Sequence, residues 1–387
     1  MELSSEDSFR LNVLLANKPL AIRIDESRLV VHGLSDRGEA KVQLNPTGRP
    51  EPYLRAVREL ISGHILGSPG GYPVYLRRWT RMGQMRDQSL EQLLMLGEPE
   101  AVVAAVGSPG LTEELARRAW WAMEDAENAR RMLAHGHIAT SAMGPVLAEY
   151  LLEYLPFETE SDRMMASVRL MMQPGLLPEA QRRALWQKSG RKQAYLLGFL
   201  QALPDALPEV LPEPAEPRAD AADLERRLAA ERDTGNPVAA LLLRVAGAPG
   251  QAYLKTMAAV LSKPPNQDVL SAAFDCLRDY FAAIRQDGDP GLAMADLQTE
   301  AGRYVDAAAD PGPMSDPTSN QIRACLAAAP ELREQLIAMR LLSGASYGLL
   351  RPLLPDPTTL GSLMRRKIAP VTDLLQSQID RLRTAAS

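Results

Sequence analysis

The sequence predicts a mainly α-helical protein, an irregular helical array or solenoid-like bundle with a small N-terminal antiparallel β-meander. Three observations point there. Aromatic residues are only 5% of the chain while Ala, Leu and Met abound, a balance that suits helices packed through aliphatic contacts. From residue 84 onward, short amphipathic stretches alternate with Gly and Pro breakers. Near the N-terminus stand three short runs with alternating or β-branched residues, separated by turn-formers.

Ser4 or Ser5, followed by Glu6 and Asp7, reads as a helix start, with Phe9, Val13 and Leu14 as its buried stripe and Pro19 as its end. AIRID (21 to 25), RLVVHGL (28 to 34) and EAKVQL (39 to 44) then form the meander. The Pro-rich segment from Pro46 to Pro52 leads into a helix from about Tyr53 to Leu66. GSPGG at 67 to 71 is a loop, and Pro73 to Trp79 reads as a further short strand. Beyond it, Leu90, Leu93 and Leu94 show helical spacing closed by Gly97.

Between residues 84 and 203 the breakers leave helices too short to bury their apolar faces alone, so each must lean on the next. Thr112, followed by Glu113 and Glu114, is an N-cap with acids at the positive end of the helix dipole. No fixed repeat recurs. Five prolines among acids between Pro204 and Pro217 block both helix and central strand, which makes this the expected boundary. The expected organisation is an α+β unit at 1–83, a helical array at 84–203, a Pro-rich acidic linker at 204–218 and a helical domain at 219–387. Within the last, helices are expected over 219–232, 237–246, 251–261, 267–286 and 292–309, and Pro370 is expected to kink or restart the final one.

A net charge of -5 argues against broad nucleic-acid binding, which needs an excess of Lys and Arg to displace counterions. No apolar run is long enough to span a membrane. The opening MELSSEDSF carries acids where a secretory signal needs positive charge, so a cytoplasmic protein is expected. Cys276 and Cys325 sit in apolar, Ala-rich stretches and are expected to be reduced and buried.

The one local concentration of binding chemistry lies between residues 72 and 86. Arg77, Arg78, Arg81 and Arg86 provide guanidinium forks for carboxylates or phosphates, and Tyr72, Tyr75 and Trp79 provide flat rings. The bland alternative is a solvated face whose arginines pair with Asp87, Glu91 or Glu98. Other motifs fall short. GSPGG lacks the Gly-Lys-Ser/Thr ending of a nucleotide loop, so it reads as a turn. His135 and His137 have metal-capable spacing but no completing ligands. Asp287-Gly-Asp-Pro-Gly lacks the later acid of a calcium loop. No serine elbow occurs. Met164, Met165, Met171 and Met172 read as core filler, and Trp120 and Trp121 cannot both face one core. No catalytic residue, cofactor or metal site is assigned.

The run GHILGSPGGYPVYLRRWTRMGQMRDQSLEQLLMLGEPEAVVAAV, followed by LTEELARRAWWAMEDAENARRML and preceded by the opening MELSSEDSFRLNVLLAN, resembles the DsrS family. That family is an accessory protein encoded with the reverse-acting dissimilatory sulfite reductase system of sulfur-oxidising bacteria. The resemblance implies a soluble cytoplasmic protein supporting oxidation of stored sulfur, with no cofactor or active site to carry over. The expected function is therefore non-enzymatic: an accessory or regulatory protein that binds a protein partner of that system through residues 72–86. An enzyme with a pocket beside the same region, and a regulator touching nucleic acid through the same arginines, are the alternatives.

Overall fold

The computed structural model describes residues 3–46, 48–73, 87–208, 215–288, 290–310, 316–354 and 360–385. The structure is 67% helical, and among the described residues there is one three-stranded antiparallel sheet, near the N-terminus. It forms two compact units: residues 1–157 with 173–177, and residues 158–172 with 178–387. The division thus runs through the helical stretch 84–203 instead of beside the Pro-rich segment, because α-helical residues 161–171 pack in the second unit before the chain returns to the first.

In the first unit, α1 (Ser5–Ala16) is started by Ser4, whose hydroxyl accepts from the Asp7 N–H. Its inward face carries Asp7, Leu11, Leu14 and Leu15. The expected stripe is corrected here: Leu14 is buried, but Phe9 and Val13 are 70% and 47% exposed. The reason is polar. Asp7 is drawn inside by the Tyr53 hydroxyl and the Asn45 N–H, at 2.5 and 2.7 Å, and this fixes the helix rotation that turns positions 9 and 13 outward.

Strands β1 (Ala21–Asp25), β2 (Val30–Ser35) and β3 (Gly38–Gln43) follow in that spatial order, with Ala21 opposite Leu34 and His32 opposite Lys41. Helix α2 (Pro50–Leu66) begins earlier than expected, with Pro50 at its first turn where a missing N–H costs nothing, and Gly67 ends it in the left-handed region. Val31, Val42, Leu11, Tyr53, Val57 and Ile61 close the core between helix and sheet. Short helices complete this unit: α3 (Asp87–Leu94), α4 (Pro99–Val106), α5 (Glu113–Ala122), α6 (Ala126–Leu133), α7 (Gly136–Ala139) and α8 (Met143–Tyr154). Leu90, Leu93 and Leu94 face inward, and the Thr112 hydroxyl accepts from the Leu115 N–H. Residues 71–73 are helical, and the further strand expected from Pro73 to Trp79 lies, from residue 74 on, outside the described residues.

The second unit opens with α9 (Ser161–Met171), α10 (Glu179–Ser189) and α11 (Gln193–Ala202). Gly198 lets α11 approach α9 closely: a Cβ there would sit 2.6 Å from Val168 Cβ. Met165, Met171 and Met172 are buried and Met164 packs against the core, as filler at helical spacing. The helix expected at 219–232 divides into α12 (Ala221–Arg227) and α13 (Ala229–Asp233), followed by α14 (Pro237–Ala246) and α15 (Ala248–Ser262). Next, α16 (Gln267–Tyr280) ends six residues earlier than expected and passes into a 3₁₀ turn, Ala282–Ile284. Helices α17 (Met294–Ala309), α18 (Pro317–Ala328), α19 (Arg333–Leu342) and α20 (Gly361–Arg383) complete the unit. Pro370 neither stops nor restarts α20; it sits inside the helix on the exposed side, where water can serve the carbonyl left without a donor.

Candidate functional site

Of the seven residues expected to bind a partner, Tyr72 is described, whereas Tyr75, Arg77, Arg78, Trp79, Arg81 and Arg86 lie outside the described residues. What the structure does show is how that stretch is mounted. On the near side, the Ser62 hydroxyl on α2 donates to the Ser68 carbonyl at 2.9 Å and accepts from the Gly71 N–H at 2.8 Å. The Tyr72 N–H then donates to the Glu98 carboxylate at 3.1 Å. Gly71 has φ +58, and a Cβ there would collide with the same carboxylate, so both the handedness and the space require glycine. On the far side the chain enters α3, whose Leu90, Leu93 and Leu94 are buried.

This geometry bears on the turn at residues 67–71. The N–H groups that close GSPGG are taken by Ser62 and Glu98, so a phosphate would have to displace protein acceptors to use them. Of the acids expected to pair with the arginines, Glu98 accepts from the Tyr72 N–H and Glu91 lies 3.6 Å from Arg118, while the arginines themselves lie outside the described residues. The Tyr72 phenol is pushed above its usual range by burial and by the nearby Glu100 charge, which keeps it a neutral hydrogen-bonding group.

The tryptophans divide their work within the same unit. Trp120 is buried edge-on against Tyr150, with ring centroids 4.9 Å apart. Trp121 turns to the sheet, where Arg23 lies 5.0 Å over its ring and donates to its carbonyl at 3.3 Å.

His135 and His137 sit at the start of α7, and each Nε2 donates to a backbone carbonyl, Val106 at 3.0 Å and Leu111 at 2.6 Å. They are pins between turns. Among the described residues, no group of three or more His, Cys, Asp or Glu could hold a metal ion. No helix among them is long and apolar enough to cross a membrane.

Two polar assemblies in the second unit have no counterpart in the sequence reading. In the first, the buried Arg285 and Arg340 share the carboxylate of Glu300, and Arg340 lies 3.5 Å over the Tyr304 ring. Their remaining N–H groups reach the Ser343 hydroxyl and the carbonyls of Arg340 and Ile284. Every strong donor is answered from within, as a structural network requires.

The second assembly lines a cavity of about 310 Å³ bordered by Arg169, Gln201, Arg244, Tyr253, Cys276 and Tyr280. Tyr280 is clamped between the Arg244 guanidinium, 3.8 Å above its ring, and Tyr253, stacked at a centroid distance of 3.8 Å. Arg244 is held in turn by both oxygens of Asp205, at 2.6 and 2.8 Å. These contributors come from α9, α11, α14, α15 and α16, so no local motif announces them. The only cue in the sequence is compositional, a Tyr-Phe pair at 280 and 281 in an aromatic-poor chain.

By class, then, this is a helical protein with a small appended meander, an anchored arginine-rich stretch in one unit and a polar cavity in the other. No family model, curated protein or solved structure matches the chain.

Proposed function

We propose that the protein is a cytoplasmic, non-enzymatic accessory or regulatory protein supporting bacterial sulfur oxidation, akin to the DsrS family, and that it docks a protein partner through Tyr72, Tyr75, Arg77, Arg78, Trp79, Arg81 and Arg86. The observation that carries this reading is the mounting of the stretch. One oxygen of the Glu98 carboxylate accepts from the Tyr72 N–H, so this acid holds the chain at residue 72, where the stretch begins. Glu91 likewise has Arg118 as its partner. A run of four arginines without an acid between residues 73 and 86, on a chain of net charge -5, then favours an acidic protein surface, which guanidinium forks and aromatic rings bind well.

The test is the triple variant Arg77→Glu, Arg78→Glu, Arg81→Glu in cells oxidising sulfur. Affinity recovery followed by mass spectrometry should lose the partners that the wild-type chain retains. Equal recovery of the same proteins removes the proposal. Retardation of DNA or RNA by the wild-type chain, steeply weakened by salt and abolished in the variant, would transfer the same arginines to nucleic acid.

A further inference from the structure

The meander has two edge strands, and the rest of the first unit treats them differently. Helices α3 and α5 pack against β1, and the Arg23 side chain on that strand is held by Trp121. The edge at β3 is open. There the Leu44 N–H donates to the Leu29 carbonyl at 2.8 Å, which fixes the parity of the ladder. Gly38, Ala40 and Val42 turn their backbone groups to β2, while Glu39, Lys41 and Gln43 turn theirs outward. Among the described residues, these outward N–H and C=O groups have no hydrogen-bond partner. Such a row is a template for one more strand.

An apolar groove runs beside that row, between α1 and β3, lined by Phe9, Val13, Ala40 and Val42. Phe9 and Val13 stand one helical turn apart and are 70% and 47% exposed, so two large apolar side chains flank an unfilled strand position.

Charge selects the occupant. β3 reads Gly-Glu-Ala-Lys-Val-Gln, and a second copy of it, added antiparallel, must set odd positions against odd ones. A two-fold axis at Lys41 would oppose two ammonium groups, and an axis at Glu39 two carboxylates, both of which destabilise. An axis at Gly38 or Val42 would set Glu39 against a residue outside β3. An axis at Ala40 sets each Glu39 against the other copy's Lys41, twice. It also brings two small Ala40 side chains together at the closest, non-hydrogen-bonded position. Within one copy, Glu39 lies 2.5 Å from the His32 Nδ1, and Lys41, 3.7 Å from Glu39, has a 65% exposed side chain that can reach across.

We propose that the protein self-associates through β3: two copies join their meanders into one six-stranded antiparallel sheet about a two-fold axis at Ala40, and Phe9 and Val13 of each α1 cover the joint. This contact belongs to the first unit and does not depend on docking at residues 72–86.

Sedimentation equilibrium of the full chain tests it. The average mass should rise with concentration from one chain toward two. Lys41→Glu should weaken association by about tenfold or more, because two attractive cross-strand pairs become repulsive. Phe9→Ser should weaken it through lost apolar cover. Lys41→Pro removes only an outward N–H, so it should also weaken association while leaving the β2 ladder intact. Circular-dichroism melts of these variants should match the wild type. Mixing Lys41→Glu with Glu39→Lys should restore the dimer, since each strand then meets opposite charges. Under mild oxidation, Ala40→Cys should form a disulfide-linked pair, and Arg28→Cys in the exposed β1–β2 turn should not. A chain that stays monomeric at about 0.5 mM overturns the proposal. So does a dimer that survives Lys41→Glu and Lys41→Pro undiminished, or one in which the Ala40→Cys bridge fails to form. An extended peptide of another protein binding this edge of a monomeric chain would overturn it as well, and would give the groove a different occupant.

Discussion

Arg285 and Arg340, which are 55 residues apart in the chain, converge on a single carboxylate: their Nη2 atoms lie 2.6 and 2.7 Å from the two oxygens of Glu300. Both guanidinium groups are almost wholly enclosed, so the acid is what makes their burial tolerable. Glu300→Ala should therefore cost about 3–5 kcal/mol, read as a lowered urea midpoint with an unchanged slope. Burial alone would raise the Glu300 carboxyl, but the hydrogen bonds and charges of the two arginines outweigh it and hold the group below its ordinary 4.5. A folded pKa below the unfolded one means that the stabilisation is complete above about pH 5 and is lost as pH falls through the folded value. The stability gap between wild type and Glu300→Gln should accordingly be flat at neutral pH and close on acidification.

Asp7 should behave similarly in the other unit. It is fully enclosed; burial would raise its carboxyl, but the Asn45 N–H and the Tyr53 hydroxyl, both donating to it, hold it below the ordinary range. Asp7→Ala removes those acceptors and strands a buried phenol, with an expected loss of about 2–3 kcal/mol. Tyr53→Phe, which removes only the hydroxyl, should lose less. Thermal unfolding of both variants decides the order.

Two glycines should respond in opposite directions. Gly71→Ala meets both a left-handed backbone and the Glu98 carboxylate, which would have to swing off the Tyr72 N–H, and it should cost about 1–3 kcal/mol. Gly63 lies inside α2 with open space around a new Cβ, so Gly63→Ala should stabilise by about 0.5–1 kcal/mol. Denaturant melts of the pair test whether residue 71 is a required fixture.

Both cysteines are free and buried, and burial pushes each thiol up to about 12. At pH 8 the folded protein should react with a disulfide reagent at a small fraction of the rate of the unfolded chain. Two equivalents of thiol should appear together on unfolding in urea. A fast-reacting equivalent under native conditions would show that one of these helices opens locally.

Local signals carried the fold well. Alternation placed AIRID on β1 without a shift, and turn residues placed the other two strands within two residues of their observed starts. Thr112 was legible because a cap involves only its own first turn. Phe9 and Val13 misled because apolar character suggests a buried stripe, while the rotation of α1 is decided by Asp7 meeting residues 38 and 46 positions away. The same limit hid Ser62 and Glu98 as the fixtures of the arginine-rich stretch, and Arg169 and Tyr280 as neighbours across one cavity. Such pairs are set by tertiary contact, and a window of a dozen residues contains only one member of each.

The return of residues 173–177 to the first unit has a consequence for anyone dividing the gene. Leu176 and Leu177 are buried there, Leu176 close to Gly144, and the Gln173 amide donates to the Leu133 carbonyl at 3.0 Å. A fragment stopped at residue 157 would be translated with a gap in its wall and a greasy lining facing water. On the ribosome, likewise, the leading body stays unsealed until codon 177 has been read and its leucines have cleared the exit tunnel, by which time the first helix of the trailing body has already emerged.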